Sequence, residues 1–226
     1  MQNFTALATA YPDHELVDDS LFWVANLYEH YLSNNEQAIR YYRSLTKRYE
    51  DSEYYFQAMA GLARVYAQRG DEGRQKALLI YQKLQKSHLP MQQASENQIR
   101  LAEIYLHFEQ YGKARVELKR LIEQAPNSDY VPRAYHLIGL SFHREGRRDL
   151  AEITYLEVDQ RYDFSKTTIA SALSLAQLYE ESDRLQSAIA MYESILKRLD
   201  RQEVFYLLAN DRIKKLRDRR RFTSKG

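Results

Sequence analysis

Histidines and carboxylates are where hydrolytic or metal chemistry would first show, and in this chain they are sparse and badly spaced for it. Of six histidines, His136 and His143 lie seven residues apart, which puts both on one face of a helix. No Asp or Glu stands between them at ligand spacing and no HExxH occurs, so no metal site is expected; hydrogen bonding or ring stacking accounts for His143. There is no cysteine, which removes thiolate ligands, disulfides and cysteine nucleophiles together and leaves the compartment open. GxSxG, GxxxxGK[ST] and GxGxxG are all absent. Carboxylate pairs such as Asp18-Asp19 and Glu180-Glu181 suit solvated helix surfaces. No catalytic residue and no cofactor is expected, and the chain is read as not an enzyme.

The remaining concentration of charge is a basic tail. Residues 201–226 hold nine Lys/Arg and three Asp/Glu, whereas the rest of the chain is slightly acidic. The cations Arg212, Lys214, Lys215, Arg217, Arg219, Arg220 and Arg221 admit three uses. They can neutralise nucleic-acid phosphates, meet anionic lipid or an acidic protein, or keep the end of a helical stack soluble. Only Phe222 interleaves with them, so stacking on bases is poorly supported and nucleic acid is the least favoured partner.

The elements that must position any binding surface are read from a repeat. A small residue followed three positions later by an aromatic recurs five times: Ala25/Tyr28, Ala63/Tyr66, Ala102/Tyr105, Gly139/Phe142 and Ala176/Tyr179. Each is followed by Ala, a large residue at +4 and an aliphatic at +7: Ala38/Tyr42/Leu45, Ala77/Tyr81/Leu84, Ala114/Leu118/Leu121, Ala151/Tyr155/Val158 and Ala188/Tyr192/Ile195. Offsets of 3, 4 and 7 share a helical face, so each unit is two amphipathic helices, A and then B. Asn34-Asn35, Gly70–Gly73, Gly112, Gly146 and Asp183 mark the turns between them. Small residues leave room where helices cross closely, and the tyrosines fill the adjoining gaps. Seven glycines and four prolines in 226 residues suit long helices joined by short turns.

In this order of residues the sequence resembles the tetratricopeptide-repeat (TPR) family, with Pro126 where that signature closes a repeat and Tyr135 at its usual first aromatic. The period of 37 to 39 exceeds the family's usual 34, and HEAT or armadillo units fit less well. The resemblance implies an all-α, right-handed superhelical solenoid of antiparallel helix pairs. The linkers Tyr11-Pro12-Asp13-His14, Tyr49-Glu50-Asp51-Ser52 and Ala125-Pro126-Asn127-Ser128 further resemble those of bacterial cell-envelope TPR proteins, of the β-barrel assembly lipoprotein and Tol-Pal-associated division coordinator types. That resemblance implies a periplasmic or outer-membrane-associated protein, with the cytoplasm as the alternative.

Carrying the family's groove positions onto this chain gives three rows along the A helices. They are Asn26, Arg64, Glu103, Leu140 and Gln177; Asp19, Gln57, Glu96, Arg133 and Ala170; and Phe22, Ala60, Ile99, His136 and Leu173, with His143 nearby. Mixed charge and some apolar surface suit an extended peptide or a partner helix rather than a uniformly basic carboxylate clamp. The alternative is that these residues form only a solvated wall. The expected function is a protein–protein interaction scaffold in envelope assembly, motility or division. The alternatives are a cytosolic adaptor or regulatory domain of a larger protein, and a membrane- or nucleic-acid-binding module using the tail.

Five units are expected, at about 13–50, 51–89, 90–126, 127–163 and 164–200. Residues 1–12 take the register of a B helix without its A helix, with Phe4 and Leu7 apolar. The natural protein is therefore expected to extend upstream of Met1, and self-association through this open half-repeat is a further expectation. Residues 201–226 form a capping helix and basic tail. Ile213 and Leu216 fall in core register, Val204, Leu208 and Ala209 are expected to add apolar contacts, and 222–226 are expected to fray.

Overall fold

A computed structural model of the chain describes residues 16–163, 165–200 and 203–223. Their regular structure is entirely helical: α1 (Val17–His30), α2 (Asn35–Arg48), α3 (Tyr55–Ala67), α4 (Gly70–Gln85), α5 (Met91–His107), α6 (Tyr111–Gln124), α7 (Val131–Arg144), α8 (Arg148–Arg161), α9 (Lys166–Glu181), α10 (Leu185–Leu196) and α11 (Val204–Thr223). Twelve helices were expected; the leading one, over residues 1–12, lies outside the described residues.

The turn inside each pair carries one residue in the left-handed region. Ser33, Gly70, Glu109, Gly146 and Asp183 all adopt positive φ. At three of these turns the helix ends in a Schellman motif. The amides of Gln110, Arg147 and Arg184 donate to the carbonyls of Tyr105, Phe142 and Tyr179 at 2.8, 2.9 and 2.8 Å. The repeated aromatic is thus the residue whose carbonyl closes the A helix. Gly112 does not make the turn as expected: Glu109 holds the left-handed position, and Gly112 sits inside α6.

The linkers between pairs are also locally determined. Ser52 Oγ accepts from the Tyr54 amide at 3.1 Å, and Ser128 Oγ accepts from the Tyr130 amide at 3.3 Å. Before α9, Ser165 and Thr168 form a reciprocal capping box. Serine in these linkers therefore has a local reason: it satisfies amides that the next helix leaves free.

The chain divides into two compact units, residues 1–104 and 105–226. In the first, Val17, Leu21, Ala25, Tyr42, Leu45, Ala58 and Leu62 join one core. In the second, Tyr155, Leu175, Ala176, Tyr192, Ile195, Ile213 and Leu216 do the same. The five small residues of the first pattern and every residue of the second are buried. A Cβ on Gly139 would sit 2.6 Å from the Tyr155 ring, and one on Gly61 would sit 2.5 Å from the Tyr42 ring. Glycine is required at both by close approach of an aromatic.

The cap departs from expectation at one end. Ala209, Ile213 and Leu216 are buried, but Val204 and Leu208 are exposed together with Leu207. In the first turns of α11 Phe205 packs against the core, and the buried contacts come from Ala209, Ile213 and Leu216. The helix continues through Phe222 to Thr223, where fraying was expected.

Candidate functional site

The first unit holds an open cleft of about 250 Å³. Its apolar walls are Phe22 from α1, Phe56 and Ala60 from α3, Leu84 from α4 and Leu89 from the loop that follows. Its polar side is formed by Asn26, Gln57, Arg64, Gln93, Glu96, Asn97 and Arg100, with the Tyr81 ring beside them. The cleft has a visible cause. Ala60 occupies the position at which the other pairs carry Phe22, Ile99, His136 and Leu173. One large side chain is missing there, and the space remains open to solvent.

Six of the expected groove positions therefore converge: Phe22, Asn26, Gln57, Ala60, Arg64 and Glu96. Glu103 does not line the cleft; it lies 3.4 Å from Arg100, which reaches Glu96 at the same distance. Ile99, placed in a groove row, is fully buried in the core.

Arg64 has a structural task. Its Nε and Nη2 donate to Glu29 at 2.7 and 2.9 Å, and Tyr42 OH donates to the same carboxylate at 2.8 Å. The Glu29 side chain is only 4% exposed. Burial acts to lower the Arg64 pKa, but the bonds and charge of Glu29 outweigh it and hold it above its ordinary value. Burial, and then Glu29, push the Tyr42 hydroxyl up. The guanidinium is thus neutralised and oriented before any partner arrives.

Two groups on the cleft are left incomplete. Asn97 is 4% exposed, and its Nδ2 donates to the Tyr81 carbonyl at 3.1 Å. That bond fixes the amide, and its Oδ1 has no hydrogen-bond partner among the described residues. Arg100 Nε, one turn along the same helix, is likewise buried without one. Sequence reasoning missed both, along with Glu29. The available signal for Asn97 was its register: Ser20, Ala58, Ala134 and Ser171 are the small residues at the same position of the other pairs.

Beside the cleft, the Phe22 ring stacks on Tyr54 at 4.6 Å, and Trp23 meets Phe22 and Tyr54 edge-on at 5.3 and 6.2 Å. Trp23 is 48% exposed. Asp18, Asp19 and Glu53 border this cluster; burial first, then Asp18 and Glu53, raise the Asp19 pKa.

In the second unit the expected residues scatter. His136 is turned into the packing, 2.9 Å from Ser171 Oγ and against the Tyr155 ring. Burial, then the Arg133 charge, push its pKa down to about 4. His143 Nε2 pairs with Glu181 at 2.8 Å and meets the Tyr155 ring edge-on. Gln177 is exposed, donates to Glu181 at 2.8 Å, and lines a shallow hollow with Leu173, Glu180, Tyr192, Leu208 and Arg212.

Several tail cations are engaged with acids of the second unit. Arg212 makes a two-point contact with Glu180, which also accepts from Tyr192 OH at 2.7 Å. Arg217 pairs with Glu193 at 2.6 Å, Arg219 with Asp183 at 3.0 Å, and Lys215 with Asp211 at 2.7 Å. Lys214 is exposed, and the side chains of Arg220 and Arg221 lie outside the described residues. Among the described residues no three His, Asp or Glu side chains gather as a metal site. No helix there is long and apolar enough to cross a membrane.

Comparison with known proteins agrees with the geometry. Residues 19–52 and 96–128 match the tetratricopeptide-repeat family model. No curated protein sequence matches the chain. Among solved structures, MamA from Desulfovibrio magneticus RS-1 is similar at 17% identity and a TM-score of 0.62, over 80% of this chain and 93% of that one. A tetratricopeptide-repeat protein from Parabacteroides merdae ATCC 43184 is similar at 14% identity and a TM-score of 0.67, over 88% and 72%. YrrB, a TPR protein with an unusual peptide-binding site, is similar at 17% identity and a TM-score of 0.60, over 92% and 97%. The fold is an all-α TPR solenoid.

Proposed function

We propose that this protein is a non-catalytic scaffold that holds a segment or helix of a partner protein against the first helices of its pairs. The observation that carries this is the cleft of the first unit, where apolar walls and converging polar groups meet and two buried hydrogen-bonding atoms of the lining residues Asn97 and Arg100 are left without partners. TPR folds serve protein interaction, and the similar YrrB structure has a peptide-binding site, which supports the same use here. From the linker composition alone we further propose a role in the bacterial envelope, in assembly, motility or division. A leader or lipobox encoded upstream of Met1 would support that placement, and a cytosolic amino terminus would move the scaffold to the cytoplasm.

The test is site-specific photo-crosslinking in the native host. A photoreactive residue is placed at Gln57 in the cleft, at Leu79 on the exposed face of α4, or at Lys214 on the tail. Adducts concentrated at Gln57 are expected. Adducts only at Lys214 would transfer binding to the tail and favour an anionic partner, overturning the proposal.

A further inference from the structure

The cleft is specific enough to describe what enters it, and this step rests on the function just proposed. At about 250 Å³ it is smaller than the ~300–1,000 Å³ that encloses a whole small-molecule ligand, and matches one large side chain instead. Its apolar part lies where Ala60 fails to supply the bulk that the other pairs carry. An incoming leucine, methionine or phenylalanine would restore what the repeat pattern omits.

The two orphaned atoms define the second requirement. Asn97 Oδ1 can only accept and Arg100 Nε can only donate. They sit three residues apart on α5, and such side chains are neighbours on a helix surface. A buried polar atom without a partner is costly, so these two stand ready for one donor and one acceptor supplied together. A peptide residue in extended conformation presents its N–H and C=O to the same side, and so offers that pair. A hydrocarbon ligand offers neither, and a carboxylate offers no donor to Asn97.

The third requirement is charge. Arg64 is neutralised by Glu29, and Arg100 is shared between Glu96 and Glu103. Asp19 and Glu53 act on Tyr54, which packs against the half-exposed Trp23, whose ring adjoins Phe22 at the cleft wall, and Asp18 adds its charge beside Asp19. The rim is therefore acidic, with an aromatic face available to a cation.

We propose that the cleft binds an extended partner segment. One large apolar side chain enters beside Ala60, that residue's backbone N–H and C=O pair with Asn97 Oδ1 and Arg100 Nε, and a neighbouring Lys or Arg lies over Trp23 beside Asp19 and Glu53.

The experiment selects random dodecapeptides displayed on phage against the full chain, then measures synthetic versions of the selected sequences by calorimetry. The expected selection is a single large apolar residue with Lys or Arg close by. Replacing that apolar residue with alanine, or methylating its backbone nitrogen, should each weaken binding about tenfold or more. Ala60→Leu should abolish binding while melting no lower than the parent. Asn97→Leu should bind methylated and unmethylated peptides alike, which separates the Asn97 contact from any general loss of fit. Selected peptides that share no apolar residue, or that bind Ala60→Leu as well as the parent, would overturn this assignment and leave the broader scaffold standing. If the full chain selects no peptide, the scaffold function of the cleft falls with it.

Discussion

His136 gives the sharpest check on how the second unit is packed. Its imidazole is held against Ser171 and the Tyr155 ring, and burial, then the Arg133 charge, lower its pKa from 6.5 to about 4. Between those values the unfolded chain binds a proton that the folded chain refuses. Stability must therefore fall as pH drops from 6.5 toward 4, and is fully present above 6.5. A difference of that size corresponds to roughly 3 kcal/mol. His136→Gln keeps a neutral polar side chain beside Ser171 and removes the titration. Urea unfolding of parent and variant at pH 7, 6, 5 and 4.5 isolates this group, because other titrations cancel in the comparison. The parent should lose about 2 kcal/mol more than the variant across that range, most of the remainder being lost at lower pH. Equal slopes, or a His136 resonance titrating near 6.5, would refute the buried placement.

Other perturbations read other parts of the structure. Glu29→Ala removes the shared acceptor of Arg64 and Tyr42; with Arg64 partly exposed, a loss of about 2–3 kcal/mol is expected in denaturant titration. Gly139→Ala drives a Cβ into the Tyr155 ring and should cost about 1–3 kcal/mol, with a crystal structure showing the ring displaced. Glu109→Gly relieves a left-handed backbone and should gain about 0.5–1 kcal/mol once glycine's extra chain entropy is subtracted; a lower melting temperature would contradict that turn.

How far the sequence reached depended on the range of the interaction concerned. Helix pairing was legible because Ala25, Tyr28, Ala38, Tyr42 and their successors repeat, and a buried helical face imposes a period that needs no three-dimensional knowledge. The left-handed turn residues were only half legible. Gly70 and Gly146 announce themselves, but Glu109 adopts the same backbone without the residue type that signals it, so Gly112 drew the assignment instead. At the cleft, Ala60 was visible as the small member of a bulky row, yet Glu29, Asn97 and Arg100 were not singled out. Their roles depend on contacts made across other helices: Glu29 with Arg64, and Asn97 with the Tyr81 carbonyl. Arg64 shows the consequence. It lines the cleft as expected, yet its guanidinium is already paired with Glu29, so reversing its charge would test folding as well as binding. The tail misleads in the same way. Its cations read as free until Glu180, Asp183 and Glu193, 24 to 36 residues earlier in the chain, are found beside Arg212, Arg219 and Arg217.

The central claim is that partners dock on the first helices of the pairs, at the cleft between α1, α3 and α5. Amide hydrogen exchange on the full chain, with and without a captured partner, tests it most directly. The account predicts new protection in α1, α3 and α5 around Phe22, Gln57 and Arg100. Protection confined to the exposed face of α4 or to α11 would contradict it.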